Sequence, residues 1–431
     1  IISVGSCAGD GFDEETFSGG VTNTQLESPD ASKVSFEKLA GKPSVKVEWP
    51  VIMGAGGYLF SMYIVDDPTN PVAVVKDSII DGCSVACTYL DDTNYKVEIK
   101  TLGNDKYNNK DAASVSEVTW STLVPATTIP AGTDLNTYFE NNPITSGKDV
   151  EVAYELEAGG SYTISGDLNL GVNNVQLRGN KVNHAKVTFT GSGAIVSSGG
   201  GMALKFIDFD CDVVSKGSFV KFGDVPEEIK GMNSYGIVTN PMIIQSCEIR
   251  NVRHYLVNIN GKKYAIQNFI VRDCLIKFYQ DAEIFNFNSN NSFVKDVELS
   301  SSTLYNLSEA SNGRFMRVAG GKGADVGWAD CSMNFTSNTF YNISCDQEAF
   351  NSNVWNRQKN TVNLSKNIFY DSCKGEFNRR IVGGRTDNAK TCDNNCYWYK
   401  GGSGLEKEAN GNYGDKSTSA YGVDPAFTCS V

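Results

Sequence analysis

Histidine is nearly absent from this chain: its 431 residues hold two, His184 and His254. Neither stands near a cysteine pair. The four-residue spacings Cys83/Cys87 and Cys392/Cys396 therefore lack the mixed ligand set of a zinc site. No run of 18 apolar residues occurs, which excludes a membrane-spanning helix. A basic excess is missing too: 38 Lys and Arg face 50 Asp and Glu, a net charge of -12 and a pI near 4.8. That balance argues against nucleic acid as the main partner, though not against a local basic groove. Runs rich in Ala, Glu and Leu are scarce, which disfavours helical repeats. Twelve cysteines are many, but their spacings form no dense framework.

What is present is a repeat. Six segments begin at Cys247, Cys274, Ser302, Asn338, Asn367 and Asn394, at steps of 27, 28, 36, 29 and 27. One such unit cannot bury its own apolar face and must stack on its neighbours. Third positions are Ile249, Ile276, Leu304, Phe340, Phe369 and Cys396, all apolar, so they face inward. Fourth positions are Arg250, Lys277, Tyr305, Tyr341, Tyr370 and Tyr397, so they face outward. The fifth is Asn251, Asn306, Asn342 or Asp371 in four copies, suited to an amide ladder and to the left-handed backbone of a corner. Intervening segments such as Leu256 to Asn260 and Ile284 to Asn288 alternate with period two, as strands do. These features predict a coil of parallel strands, about three per turn. The crossover rule makes it a right-handed parallel β-helix. Val175 to Asn180 and Phe206 to Asp210 read as earlier rungs, and Pro226 to Pro241 as an insertion. From about Ile129 there is room for roughly ten rungs. Cys247 and Cys274 share one column and read as small buried hydrophobes rather than as a disulfide.

Residues 24–125 read differently. Val45, Val47 and Trp49 alternate with polar residues, as do Tyr95, Val97 and Ile99, while Tyr58, Phe60, Met62 and Ile64 share one face. About seven short strands with turn signals between them predict a β-sandwich. Trp49 stands where such domains keep a core Trp. Leu90 to Tyr95 resembles the corner of fibronectin type III domains, in which a Tyr hydroxyl bonds back to the preceding turn. The family pattern has one more residue between Leu and Tyr and usually a Pro, both absent here. That resemblance implies a spacer, with a junction at Pro125 to Pro130. The expected organisation is a tether over 1–23, the sandwich over 24–125 and the β-helix over 126–431, an all-β chain throughout.

The N-terminal Val4-Gly5-Ser6-Cys7, followed by an acidic stretch, resembles a bacterial lipobox, which implies lipidation at Cys7. Lipid anchor, fibronectin-like sandwich and pectate-lyase-like coil together resemble Bacteroidetes surface lipoproteins of polysaccharide-utilisation systems. The resemblance implies an outer-membrane, cell-surface protein that touches the membrane only through its lipid, with a polysaccharide lying along one sheet.

Three functions follow as expectations: a binding protein for acidic, pectin-like glycans, a lyase cleaving uronate polymers by β-elimination, or an adhesive stalk. Aligning the strands puts Asn258, Asn286 and Arg317 in one outward column. Arg314, Trp355, Arg357 and Arg380 add substrate-contact candidates, as do Tyr341 and Tyr370 through their ring faces. Arg317, Lys322 and Arg385 are the candidate bases for a lyase. The lyase pattern of Arg followed closely by Pro and a second Arg is absent, as is the Gly-Asp-Asp signature of β-helix glycosidases. Asp208, Asp210 and Asp212 project to one face and read either as a calcium site or as a solvated face. No tightly bound organic cofactor is indicated.

Overall fold

The computed structural model describes residues 20–213, 217–309, 313–318, 322–351, 359–381, 389–410 and 414–427. The chain divides into two compact units, Ile1–Pro125 and Ala126–Val431.

The first unit holds β1 (Ser35–Lys38), β2 (Ser44–Glu48), β3 (Gly57–Ile64), β4 (Val72–Ile80), β5 (Ser84–Thr88), β6 (Asn94–Leu102) and β7 (Ser116–Ser121). They form two antiparallel sheets, ordered β1-β2-β5 and β4-β3-β6-β7. Period-two alternation drives Val45, Val47, Tyr58, Phe60, Met62, Tyr95, Val97 and Ile99 into the shared core. Trp49 packs on Tyr58 edge-on at 5.5 Å and on Phe60 nearly parallel at 5.7 Å. The Tyr95 hydroxyl accepts a hydrogen bond from the Leu90 N–H at 2.7 Å, so the corner closes as its sequence suggests.

The second unit is a right-handed parallel β-helix. Its first sheet contains ten strands in sequential stacking order, from Ala126–Ile129 to Ala389–Asp393, and the inserted strand Gly236–Val238 joins its middle. The second sheet runs from Ser161–Ile164 to Cys396–Tyr399. The third runs from Leu168–Gly171 to Met316–Val318. Helix α1 (Leu135–Asn141) lies at the N-terminal end and contributes Leu135 and Phe139 to the core. The insertion between Pro226 and Pro241 sets Tyr235 in a small separate cluster with Ala265, Phe293 and Trp328.

The corner between the first and second sheets explains the repeat. Ser246, Asp273, Ser301, Ser337, Lys366 and Asn394 all take positive φ, which turns the chain sharply. The next residue in each rung points into the corner and donates to a strand of the first sheet. Cys247 donates to the Leu204 carbonyl at 3.5 Å and Cys274 to that of Ile244 at 3.5 Å. Asn338, Asn367 and Asn395 donate to the carbonyls of Leu299, Phe335 and Leu364 at 2.7, 2.8 and 2.9 Å. Their amide oxygens accept the N–H of the rung before: Ser302 to Asn338, Asn338 to Asn367 and Asn367 to Asn395, at 3.0 to 3.1 Å. Asn367 and Asn395 also accept the side-chain amides of Asn338 and Asn367. The amide ladder thus occupies the first position of the repeat, not the fifth. The reason is burial: these asparagines are sealed from water, where an unpaired amide is costly. The fifth position supplies the other corner, with positive φ at Asn251, Asn342 and Asp371. The ten described cysteines are all free thiols, including the stacked Cys247 and Cys274.

The third-position column is in register, Ile249 to Ile276, Leu304, Phe340 and Phe369. The sixth copy is displaced by one residue: Phe369 pairs with Tyr397 and Tyr370 with Trp398. The repeat therefore begins at Asn395. Tyr397 belongs to the core, its ring parallel to that of Phe369 at 5.2 Å, and Trp398 takes the outward place.

Tyr397 leads into a buried polar network that fills the C-terminal end of the coil. Its hydroxyl donates to Asp415 at 2.7 Å, and Asn378 donates to that hydroxyl at 3.1 Å. Glu408 accepts from the N–H groups of Phe377 and Asn378 and from the Asn378 amide. Lys390 donates to Asn378 and to the Gly414 carbonyl. Burial drives the Glu408 carboxyl above its ordinary range and the Lys390 ammonium below its own. Burial also acts to raise Asp415, but hydrogen bonds from Ser417, Tyr397 and Asn395 outweigh it and hold that carboxyl below the usual value.

Two stability predictions follow from the corner and the cap. Asn367→Ala leaves a buried N–H and a buried carbonyl without partners and should cost about 3 kcal/mol in urea unfolding. Asn367→Ser, the residue that position 302 already uses, should cost clearly less; equal costs would mean that the ladder is not what holds the corner. Because the folded pKa of Asp415 lies below its unfolded value of 3.8, its contribution is complete above that pH and lost as pH falls through the folded value. Asp415→Asn should therefore melt well below the parent chain at pH 6, and the gap should narrow as pH falls below 3.8 and through the lowered folded value.

Candidate functional site

The third sheet carries the polar column expected from the sequence. Lys221 pairs with Asn258, Asn258 with Asn286 and Asn286 with Arg317. Their neighbours Val257, Phe285, Met316, Ile259, Phe287 and Val318 fill the core, so the column faces outward. The Asn286 amide donates to the Asn258 side-chain oxygen at 3.1 Å, and that oxygen also accepts the Asn260 N–H. Three residues upstream stand Tyr255, within its strand, and Glu283 and Arg314, each two residues before theirs.

Charge is balanced across this strip. One Arg317 nitrogen reaches Glu283 at 3.1 Å, while the side chain is 44% exposed and makes no other hydrogen bond among the described residues. Arg314 is turned to the next rung: its Nη1 donates to the Glu348 carboxylate at 2.8 Å and to the carbonyls of Glu348 and Phe350. Lys221 pairs with Asp167 at 2.6 Å. Of Lys221, Arg314 and Arg317 on this strip, Arg317 is the least engaged and keeps the most donors for a ligand.

The strand that delivers this strip is unusual. Glu248–Asn258 runs through eleven residues and belongs to both the second and the third sheet. Against Leu275–Tyr279 it holds one extra residue between Ile249 and Val252, with Asn251 at φ 65°. Such bulges re-aim side chains. Further along, His254 sits at φ 111°, outside the regions that L-residues readily adopt. Its Nδ1 lies 2.8 Å from Asp281 Oδ1, and its ring abuts that of Tyr255, with centroids 3.9 Å apart. Burial raises the Tyr255 phenol above its ordinary pKa. Glu283 and Asp281 act in the same direction and Arg317 opposes them. Arg253 covers the Tyr279 ring at 4.3 Å. Neither His254 nor Tyr255 stands out in the sequence, since period-two alternation carries no trace of a bulge.

The tyrosine column lies on the second sheet, not on the strip. Tyr305 and Tyr341 stack at 4.5 Å, 5° from parallel, and Tyr341 and Tyr370 at 5.0 Å, 7° from parallel. The ring faces that a sugar would need are occupied by one another, and Phe427 meets Tyr341 and Tyr370 edge-on. This corrects the reading of Tyr341 and Tyr370 as sugar platforms. The three aspartates also do not converge: Asp208 pairs with His184 at 2.9 Å, Asp210 accepts from Asn251 at 3.0 Å, and Asp212 lies 3.8 Å from Arg253. No group of three metal-ligating side chains occurs among the described residues. Lys322 opens the short turn Gly323–Val326, whose Asp325 carbonyl is bonded by Asn233 of the insertion, and no contact joins it to Arg317. Trp355, Arg357, Arg385 and Cys7 lie outside the described residues, as does the side chain of Arg380.

Residues 1–159 match the family described as a domain of unknown function, DUF4992, and residues 160–307 match a second, DUF4957. The boundary between them falls inside the coil, after the second strand of its first sheet, Glu151–Leu156. No curated protein matches the chain. Among solved structures, the chain is similar to a pectate lyase from Erwinia chrysanthemi in complex with tetragalacturonic acid. That match has 10% identity, covers 78% of this chain and 84% of the other, and has a TM-score of 0.21. A thermostable GH87 α-1,3-glucanase from Streptomyces thermodiastaticus matches at 13% identity, over 89% of this chain and 88% of its own, with a TM-score of 0.24. A family 28 exopolygalacturonase from Yersinia enterocolitica matches at 10% identity, over 86% and 98%, with a TM-score of 0.17. Superpositions this loose carry no argument about the site.

Proposed function

We propose that the coil binds an extended acidic polysaccharide along its third sheet. The observation that carries this reading is the in-register outward column Asn258–Asn286–Arg317. Amide groups repeated at the spacing of parallel strands offer donors and acceptors to successive sugar hydroxyls. The free guanidinium donors of Arg317 suit a carboxylate. A neutral strip would favour no charge on the ligand; an exposed Arg ending the column favours uronates. The sandwich fits a fibronectin type III-like spacer, which its sheets of three and four strands support. The reading of the protein as a cell-surface lipoprotein of polysaccharide utilisation rests on Val4 to Cys7.

Retention in gels cast with polygalacturonate or alginate tests the binding reading. Arg317→Ala should weaken retention at least about tenfold. It should not lower the melting temperature by more than about 2 °C, because an exposed ion pair contributes little stability. Asn286→Ala should weaken retention as well, and Tyr341→Ala should leave it unchanged. Loss with Tyr341→Ala but not with Arg317→Ala would move the site to the second sheet. The anchor is tested separately: expressed behind its own leader in a bacterium that processes lipoproteins, the chain should incorporate labelled fatty acid, and Cys7→Ser should abolish the label.

A further inference from the structure

We infer that His254 and Tyr255 form a catalytic acid–base centre that cleaves the bound uronate polymer by β-elimination. The inference rests on the binding reading above and adds chemistry to it. Three observations converge on one stretch of strand.

The first is the His254–Asp281 pair. With Nδ1 at 2.8 Å from a carboxylate oxygen, the imidazole proton belongs on Nδ1, and Nε2 keeps its lone pair. The His254 side chain is 26% exposed, so that lone pair is within reach of a ligand on the surface. The second is the backbone. His254 holds φ 111° three residues after the left-handed Asn251 in a bulged strand, and strain of this kind persists where the surroundings fix it. Gly would adopt this angle without strain, yet His stands there. The third is the company. Tyr255 touches the imidazole, and its hydroxyl makes no hydrogen bond among the described residues. Arg317, with donors to spare, lies close enough to act on the Tyr255 phenol.

The same contacts weigh against hydrolysis. A glycosidase needs one carboxylic acid that stays protonated and a second carboxylate beside it. Here Glu283 is paired with Arg317 and Asp281 with His254, so neither carboxyl stands free beside the other as a donor and nucleophile pair. Elimination needs a group that draws charge from the uronate carboxyl, a base and an acid. Arg317 takes the carboxylate. His254 Nε2 removes the proton from the ring carbon that bears the carboxyl group. The electron pair forms the double bond to the neighbouring ring carbon, and the bond from that carbon to the glycosidic oxygen breaks. Tyr255 gives its proton to the departing oxygen. The proton on His254 then returns to the tyrosinate through solvent, and no oxidant, reductant or water is consumed. The raised pKa of Tyr255 keeps the phenol protonated until that step. Asp281 is a positioning residue that fixes the imidazole tautomer.

The test follows ultraviolet absorbance of unsaturated uronides with the purified full chain on polygalacturonate, alginate and chondroitin sulfate, alongside retention of the same polymers. The expected result is a rise on one polymer class. His254→Asn should reduce the rate at least about 100-fold while retention persists. Tyr255→Phe should lower kcat with KM unchanged. Asp281→Asn should lower kcat without lowering the melting temperature, and Asp281→Glu should recover part of the rate. Retention of a polymer without any absorbance rise overturns this inference and leaves binding standing. A rise that survives both His254→Asn and Tyr255→Phe overturns the assignment of these two residues. Neither retention nor absorbance on any polymer removes both readings.

Discussion

Everything in the coil depends on hydrogen bonds made by side chains at one buried corner. A parallel rung must reverse direction three times, and each reversal takes backbone groups out of the strand ladders. At the corner between the first and second sheets, Asn338, Asn367 and Asn395 return those groups to partnership by donating to one rung and accepting from another. Earlier rungs use Ser302, Cys274 and Cys247 for the same task with fewer bonds. The ladder is therefore strongest in the C-terminal rungs, where it is built of asparagine. The parallel stack Phe340–Phe369–Tyr397 lies in the core beneath it, at spacings of 4.8 and 5.2 Å. Such stacks add about 0.5–1.5 kcal/mol per pair beyond their buried area.

That regular frame makes the exceptions informative. Most rungs change sheets through a turn, but the rung at Glu248–Asn258 stays in strand geometry through the change. Its extra residue and its positive-φ histidine set Arg253, His254 and Tyr255 beside Asp281 and Glu283. Arg317 of a later rung reaches back to the same patch. A solenoid supplies fixed spacing at little cost, so a site on its surface needs few dedicated residues. Here the dedication lies in one bulged strand.

Much of this was legible in sequence. The apolar third position, the parallel coil, the insertion before Pro241 and the Asn258–Asn286–Arg317 column all follow from period and alternation. In the sandwich, Trp49 and Tyr95 were readable because large aromatics in alternating strands have one place to go. What escaped had physical causes. Asn394 and Asn395 are identical residues, so the sixth copy could be aligned either way, and the pairing of Phe369 with Tyr397 decides it. The amide ladder was sought at the fifth position because four of the copies share Asn or Asp there. The first position hides its ladder behind a change from Cys to Ser to Asn. Stacked tyrosines look like a platform in sequence, because spacing alone does not reveal that their faces meet. His254 was invisible because its importance lies in a backbone angle and in a partner 27 residues away.

The polar network at the C-terminal end has a consequence for assembly. A stack of parallel strands ends in an unpaired edge, and a further coil with the same rise could continue it indefinitely. At this end Glu408 and Asp415 are buried beside Lys390, Asn378 and Tyr397, and the segment around Tyr421 pairs with the last strand at Cys396. A second chain that added its own strand there would have to displace that segment and strip buried polar groups of their partners. The buried polar network thus caps this end of the coil and opposes end-to-end growth into a fibre.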